Sequence, residues 1–311
     1  MKRLMSERDE LEADGTAEGK RLDLFIGEAL KMSRSKLKNL FEADAVRVNG
    51  FRGKKGQTVR SGDKVVCKRQ NEDLTLIAQP GYPVAVLKSD DYYVFVDKPS
   101  GMPSHTLRPG ETGTLANALI AQFPECAQAS DDPREGGICH RLDTETSGIL
   151  LAARSKEAWQ AARNLFTERA IDKRYFALVN GPLADQGVIE LNLKHRPGPI
   201  DRMVPDSEGR EDSRPARSSF RIIERQAGQS WIEVKIETGV LHQVRAHLAA
   251  IGAPLLGDEL YGGEKWPGSR RFFLHAHSLE FVHPFTGQST RAESPLPPEL
   301  HDELKSRGFT V

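Results

Sequence analysis

A chain of 311 residues, 38% hydrophobic and 28% charged, has room for one large domain and one small one and reads as a soluble globular protein. No run approaches the roughly 18 apolar residues of a membrane span, and the opening "MKRLMSERDELEADGTAEGK" lacks the apolar stretch of a secretory signal. Cys67, Cys126 and Cys139 are odd in number and lack C-x-x-C spacing, which argues for a reducing cytoplasm and against both a disulfide framework and a thiolate zinc site. The net charge of zero is unevenly spread: residues 20–70 hold 14 Lys/Arg against 5 Asp/Glu, and residues 1–19 hold 3 against 6. A basic segment on an acidic body fits a polyanion-binding module, although a lysine-rich solvated surface would have the same charge.

In chain order, residues 1–19 are acidic and aperiodic and predict a mobile tail. "GTAEGKR" is one residue short of a phosphate loop and has no Ser or Thr after the lysine. From Arg21 the apolar residues Leu22, Phe25, Ile26, Ala29 and Leu30 recur at helical steps. Ser33 is placed to cap a second helix, "RSKLKNLFEAD", with Leu37, Leu40 and Phe41 inward and Arg34, Lys36 and Lys38 on the other face. "VRVNG" alternates and ends in the Asn-Gly of a tight hairpin, and short strands follow up to residue 70. With "RLDLFI", "SRSKLKNLF" and "VRVNG", residues 20–70 resemble the RNA-binding module first seen in small-subunit ribosomal protein four. That resemblance implies that Ser33, Arg34, Lys36, Lys38 and Arg47 face phosphates, contacts that position a protein on RNA without reading sequence.

The prolines and glycine of residues 71–82 mark a linker, and residues 83–305 read as one body. "YYVFVDKP", "KRYFALVNG" and "SWIEVKIETG" predict strands. "GTLANALIAQF", the Ser155-capped "KEAWQAARNLFTERA" and "LHQVRAHLAAIG" predict helices. Strands outnumber helices without regular alternation, so the expected class is α+β with a mixed, mainly antiparallel sheet, preceded by the small basic module.

Four stretches of the body carry chemistry-bearing residues. In "ICHRLDTETSGILLAA" two strand-like runs flank a polar tip with Asp143 at its start; an aspartate there is ordinary turn chemistry unless something else faces it. In "LHQVRAHLAAIG" the apolar stripe is Leu241, Val244, Leu248 and Ile251, so Arg245 lies off it, in the first turn, where the helix dipole disfavours a cation. That fits an acidic partner from elsewhere in the fold, although a solvated arginine accounts for the helix read alone. Tyr175 shares a strand face with Lys173, Ala177 and Val179, where tyrosine is commonly core filler; the small Ala177 leaves room for a flat group. His275 and His277 share a strand face, but no H-x-x-E or E-x-x-H spacing accompanies them, and Ser147 is not in a G-x-S-x-G elbow, so neither a catalytic metal nor a serine nucleophile is expected.

Together, "HRLDTETSG", "KRYFALVNG", the TG…HQVR…HL…G.P..GD..YG series and "LHAHSLEFVHPFTG" resemble, in order and spacing, the RluA/RluD-type pseudouridine synthases, over most of residues 83–290. The resemblance implies an isomerase that turns a uridine of folded RNA into its carbon-linked isomer without metal or organic cofactor. The nucleotide must be flipped out of its helix, at a cost of a few kcal/mol. Asp143 matches the family's essential aspartate, acting on the sugar by attack at C1′ or by removal of the C2′ proton. Arg245 matches the arginine paired with it, an adjacent charge that favours the ionised carboxylate. Tyr175 matches the tyrosine that stacks on the uracil, Arg141 the side chain that fills the gap left by the flipped base, and Leu274 an apolar residue against the ring. His140 shapes the loop and Lys173 orders the site. The family's usual T-G-R-T-H-Q-I-R reads here Thr238-Gly239-Val240-Leu241-His242-Gln243-Val244-Arg245, which removes one positive charge at the entrance to the helix. By analogy with members carrying the N-terminal module, the expected partner is structured RNA, ribosomal RNA of the large subunit first and transfer RNA second, and the expected state is a monomer in the cytoplasm. A non-catalytic RNA-binding assembly factor is the alternative class, with Val240 as its foothold.

Overall fold

A computed structural model describes residues 6–311 apart from 33, 71–73, 83, 197, 199–201 and 211, and the side chains of 6, 7, 34–36, 69 and 70 also lie outside the description. The chain divides into two compact units, Met1–Asp73 and Leu74–Val311.

The first unit holds β1 (Ser6–Glu12), α1 (Leu22–Ala29), α2 (Arg34–Glu42), β2 (Val46–Val48), β3 (Phe51–Arg52) and β4 (Lys64–Gln70). Its sheet has the order β1-β4-β2-β3 and is antiparallel throughout. Leu22, Ile26, Leu37, Leu40, Val46, Val48, Val65 and Cys67 form its core, as the helical and alternating periods require. Asn49 and Gly50 both take positive φ, 51° and 84°, closing the β2–β3 hairpin. The mobile tail expected at residues 1–19 is corrected from Ser6 onward. β1 pairs along its whole length with β4, from Ser6 opposite Gln70 to Glu12 opposite Lys64, and Ala13 and Ala17 are buried beneath it. Composition alone favoured disorder there, but beside β4 the segment gains a hydrogen-bond ladder, with Glu12 opposite Lys64. Ser33, the expected cap of α2, lies outside the described residues.

The second unit contains β5 (Ala85–Ser89), β6 (Tyr93–Lys98), α3 (Leu115–Gln122), β7 (Ser147–Ala153), α4 (Lys156–Thr167), β8 (Asp172–Asn180), β9 (Gln186–Arg196), β10 (Arg202–Pro205), β11 (Arg214–Gln226), β12 (Gln229–Ile236), α5 (Gln243–Ala250), β13 (Leu274–Val282), β14 (Ser289–Glu293) and α6 (Pro298–Ser306). Ten strands make one sheet, β10-β9-β11-β12-β8-β13-β7-β6-β5, with β14 also on β13. Every pair is antiparallel except β13 with β7, which gives the mixed, mainly antiparallel sheet expected of an α+β protein. All seven residues of β7 are buried, because "SGILLAA" sits between two strands with α4 packed against it.

Two expected boundaries shift. Residues 74–82 are tied to the second unit: Gln79 N–H donates to Asn117 O, Asn117 Nδ2 donates to Ile77 O, and Leu76 packs on the core. The body also runs past residue 305, since Phe309 is buried with Leu300, Leu304, Trp266 and Phe273. "ICHRL", expected as a strand beside "ILLAA", makes a single bridge, Ile138 with Ala152. The ladder stops because the Leu151 N–H donates to the His140 ring at Nε2, 3.1 Å away, instead of to a backbone carbonyl.

Candidate active site

Asp143 is carried on the loop that enters β7, and that loop is fastened from below. Lys98, fully buried at the end of β6, donates from Nζ to the carbonyls of Pro99 (3.0 Å), Met102 (2.8 Å) and Thr144 (3.0 Å). Burial, then Arg271, pulls its pKa down to about 7. Three carbonyls on one nitrogen call for three N–H donors, which only the ammonium has. Ser104 Oγ accepts from Leu142 N–H and donates to Leu142 O, Ser100 Oγ donates to Glu145 O, and Gly101 N–H donates to Thr144 O. An Asp-Thr-Glu-Thr tip that would be mobile on a free hairpin is thereby held on both sides of the carboxylate.

Arg245, in the first turn of α5, is buried and meets that carboxylate: Nη1 lies 3.2 Å from Asp143 Oδ2. Nε and Nη2 grip Asp258 at 2.7 and 2.8 Å, and the guanidinium lies over Phe272 (4.3 Å) and Tyr261 (4.9 Å). The bidentate Arg245–Asp258 pair fixes the guanidinium plane and leaves one edge for Asp143. Asp258 stands in the G-D pair of the TG…HQVR…GD..YG series with no role attached; a buried arginine needs a full-time counter-ion, and this acid thirteen residues on supplies it. Gln243, likewise unassigned, closes the turn before α5. Its Oε1 accepts from Thr238 Oγ1 and Val240 N–H, and its Nε2 donates to Arg217 O and Ser218 Oγ.

Tyr175 stands on β8 with Val234 and Ala276 as its neighbours across the two flanking strands, and Ala177 two residues along on the same buried face. Burial first, then the Asp143 charge, raises its phenol pKa. Lys173 is buried on that face, with Nζ 3.4 Å from Thr238 O and 5.4 Å from the Phe166 ring centre; burial lowers its pKa to about 8. Leu274 begins β13 and is buried, and Arg141 is exposed beside Asp143. Asp143, Arg245, Tyr175, Lys173, Leu274, Arg141 and His140 all line one cleft of about 440 Å³, joined by Val240, Leu241 and His242. The His140 ring is committed to Leu151 N–H and to Phe166, 4.8 Å between centres.

The remaining expected residues lie elsewhere. Lys38 is exposed on α2 with Glu42 3.6 Å away, and Arg47 is held to Asp44 by its carboxylate and carbonyl. The side chains of Arg34 and Lys36, and all of Ser33, are outside the described residues. His275 and His277 both have a ring nitrogen 3.2 Å from Ser294 O, and His277 stacks on Phe176. Among the described residues no three His, Cys, Asp or Glu side chains converge as metal ligands. Cys67, Cys126 and Cys139 are buried free thiols.

The mixed, mainly antiparallel sheet that carries the cleft is the fold of the pseudouridine synthases, as two solved structures share it. The solved structure of human RNA Pseudouridylate Synthase Domain Containing 4 matches with a TM-score of 0.58, at 21% identity over 73% of this chain and 94% of that one. Human RNA Pseudouridylate Synthase Domain Containing 1 matches with 0.57, at 26% identity over 71% and 89%. The sequence profile of the RNA pseudouridylate synthases matches residues 92–250. Ribosomal large subunit pseudouridine synthase D of Xanthomonas campestris is 33% identical over 299 residues, covering 92% of this chain and 88% of that protein. The protein of the same name from Nitrosomonas europaea is 34% identical over 302 residues, covering 94% and 85%. The chain belongs to the RNA pseudouridylate synthase family.

Proposed function

We propose that this protein isomerises specific uridines of large-subunit ribosomal RNA to pseudouridine, with Asp143 as the group that acts on the ribose. The observation that carries the reading is the placement of Asp143, at 16% side-chain exposure and 3.2 Å from Arg245, in one cleft with Tyr175 and Leu274. The net change is one bond for another: N1–C1′ breaks, C5–C1′ forms, and the C5 hydrogen passes to N1. Nothing is oxidised and no group leaves, so the task of the site is to hold a detached uracil while it turns. Tyr175 and Leu274 offer flat and apolar walls for that ring, the carboxylate acts on the sugar, and the exposed Arg141 fills the gap the nucleotide leaves.

The relatives named for the ribosomal large subunit support that substrate class. The basic first unit supports an auxiliary contact to phosphates, with Lys38 on the exposed face of α2. Val240 and Leu241 pack toward Tyr261 and Ala246, so the charge missing from the usual sequence is replaced by apolar packing and the Arg245–Asp143 contact is kept. The test is pseudouridine mapping of total RNA from cells with and without the gene, by carbodiimide labelling and reverse-transcription stops. Loss of one or a few marks in large-subunit RNA is the expected result. Marks lost from transfer RNA instead would overturn the substrate class, and no lost mark would overturn the enzymatic reading.

A further inference from the structure

His242 precedes α5 with φ 53° and ψ 22°, a left-handed conformation that strains a residue with a Cβ. The strain brings its ring into the cleft, with the side chain only 14% exposed. Nε2 lies 3.9 Å from Asp143 Oδ2, and Nδ1 lies 3.1 Å from the Tyr261 hydroxyl. That hydroxyl accepts the backbone N–H of Met203 at 2.9 Å, so its single proton is free to point at Nδ1. An imidazole whose Nδ1 accepts carries its proton on Nε2, the nitrogen that faces Asp143. Burial lowers the pKa of the ring, against its charged form; Asp143 and Asp258 pull the other way, and Arg245 and Arg141 reinforce it. In that tautomer the Nε2–H of His242 faces, across 3.9 Å, the same carboxylate oxygen that Arg245 Nη1 addresses. Both approaches run to Oδ2.

We infer that His242 is a positioning residue: its Nε2–H and Arg245 clamp Oδ2 of Asp143, so that Oδ1 is the oxygen presented to the ribose. The Met203–Tyr261–His242 chain sets the direction of that donor, and the 3.9 Å gap is of the kind that closes when substrate fills a site. This inference rests on the cleft being the isomerisation site.

Two measurements test it on the full-length protein. Nitrogen-15 NMR of histidine-labelled protein should show His242 as the Nε2–H tautomer near neutral pH, and Tyr261→Phe should turn it into a mixture. Single-turnover assays on ribosomal RNA fragments should show His242→Leu slowing the chemical step by about 10- to 100-fold, the scale of a misaligned reacting group, with RNA binding unchanged. His242→Gln, which restores an N–H at similar reach, should recover most of that loss. An Nδ1–H tautomer in the unaltered protein, or a Leu variant that turns over at the normal rate, would overturn the inference. Should the Leu variant fail to fold, the tautomer and the Gln variant decide. A wild-type protein inactive on every RNA would instead sink the functional reading, and the tautomer would still stand or fall alone.

Discussion

Asp143 and Lys173 carry opposite charges into the same cleft, and each makes its own prediction. Asp143→Asn keeps the shape of the side chain and its place beside Arg245, so RNA binding should survive. A step that needs the carboxylate should fall by more than about a thousandfold in a single-turnover assay. Normal turnover by that variant would contradict the assignment of the reaction to Asp143. For Lys173 the sign of the pH effect follows from burial. Its pKa is lowered to about 8, so below that pH an ammonium stands in the cleft and above it a neutral amine. RNA affinity should therefore drop severalfold as pH rises through about 8, and Lys173→Met should bind weakly on both sides without that step. Titrating affinity by filter binding for the two proteins in parallel checks it.

Among the elements, β7 and the loop before it are the most constrained. Gly148 has φ 117°, and a Cβ there would run into the carbonyl oxygen and amide nitrogen of Ala276 on β13, because the two strands approach at their one parallel contact. Gly148→Ala should destabilise the protein by about 3 kcal/mol or more, read as a lowered urea midpoint, since neither backbone can yield without breaking its ladder. Lys98→Met should cost about 2 kcal/mol by the same measurement, because three buried carbonyls lose their common donor. Its isomerisation rate should fall as well, the Thr144 anchor being next to Asp143. The purpose of Lys98 is not legible in the sequence, as two of its acceptors lie in the turn that follows and the third 46 residues away.

At the scale of the molecule, the second unit encloses the whole cleft and the first carries a surplus of basic residues. Removing residues 1–73 should weaken RNA binding and flatten its dependence on salt, with a smaller effect on the chemical step at saturating RNA. Equal salt slopes for the two forms would show that the first unit takes no phosphates.

The sequence by itself determined what depends on neighbours in the chain. Leu22 and Ile26 mark α1, Ser155 caps α4, Asn49-Gly50 closes a hairpin, and the "HRLDTETSG" and "HQVR" runs point to Asp143 and Arg245. Only the tertiary structure decided matters that depend on partners far along the chain. The acidic segment at residues 6–12 became a strand because β4 offered it a ladder, and "ICHRL" stayed irregular because a histidine ring took a strand's hydrogen bond. Asp258, Gln243 and the Met203–Tyr261–His242 chain entered the site because folding brings together groups that carry no shared period or spacing. A buried charge must find its counter-ion wherever the fold provides one, and a one-dimensional pattern does not record where that is.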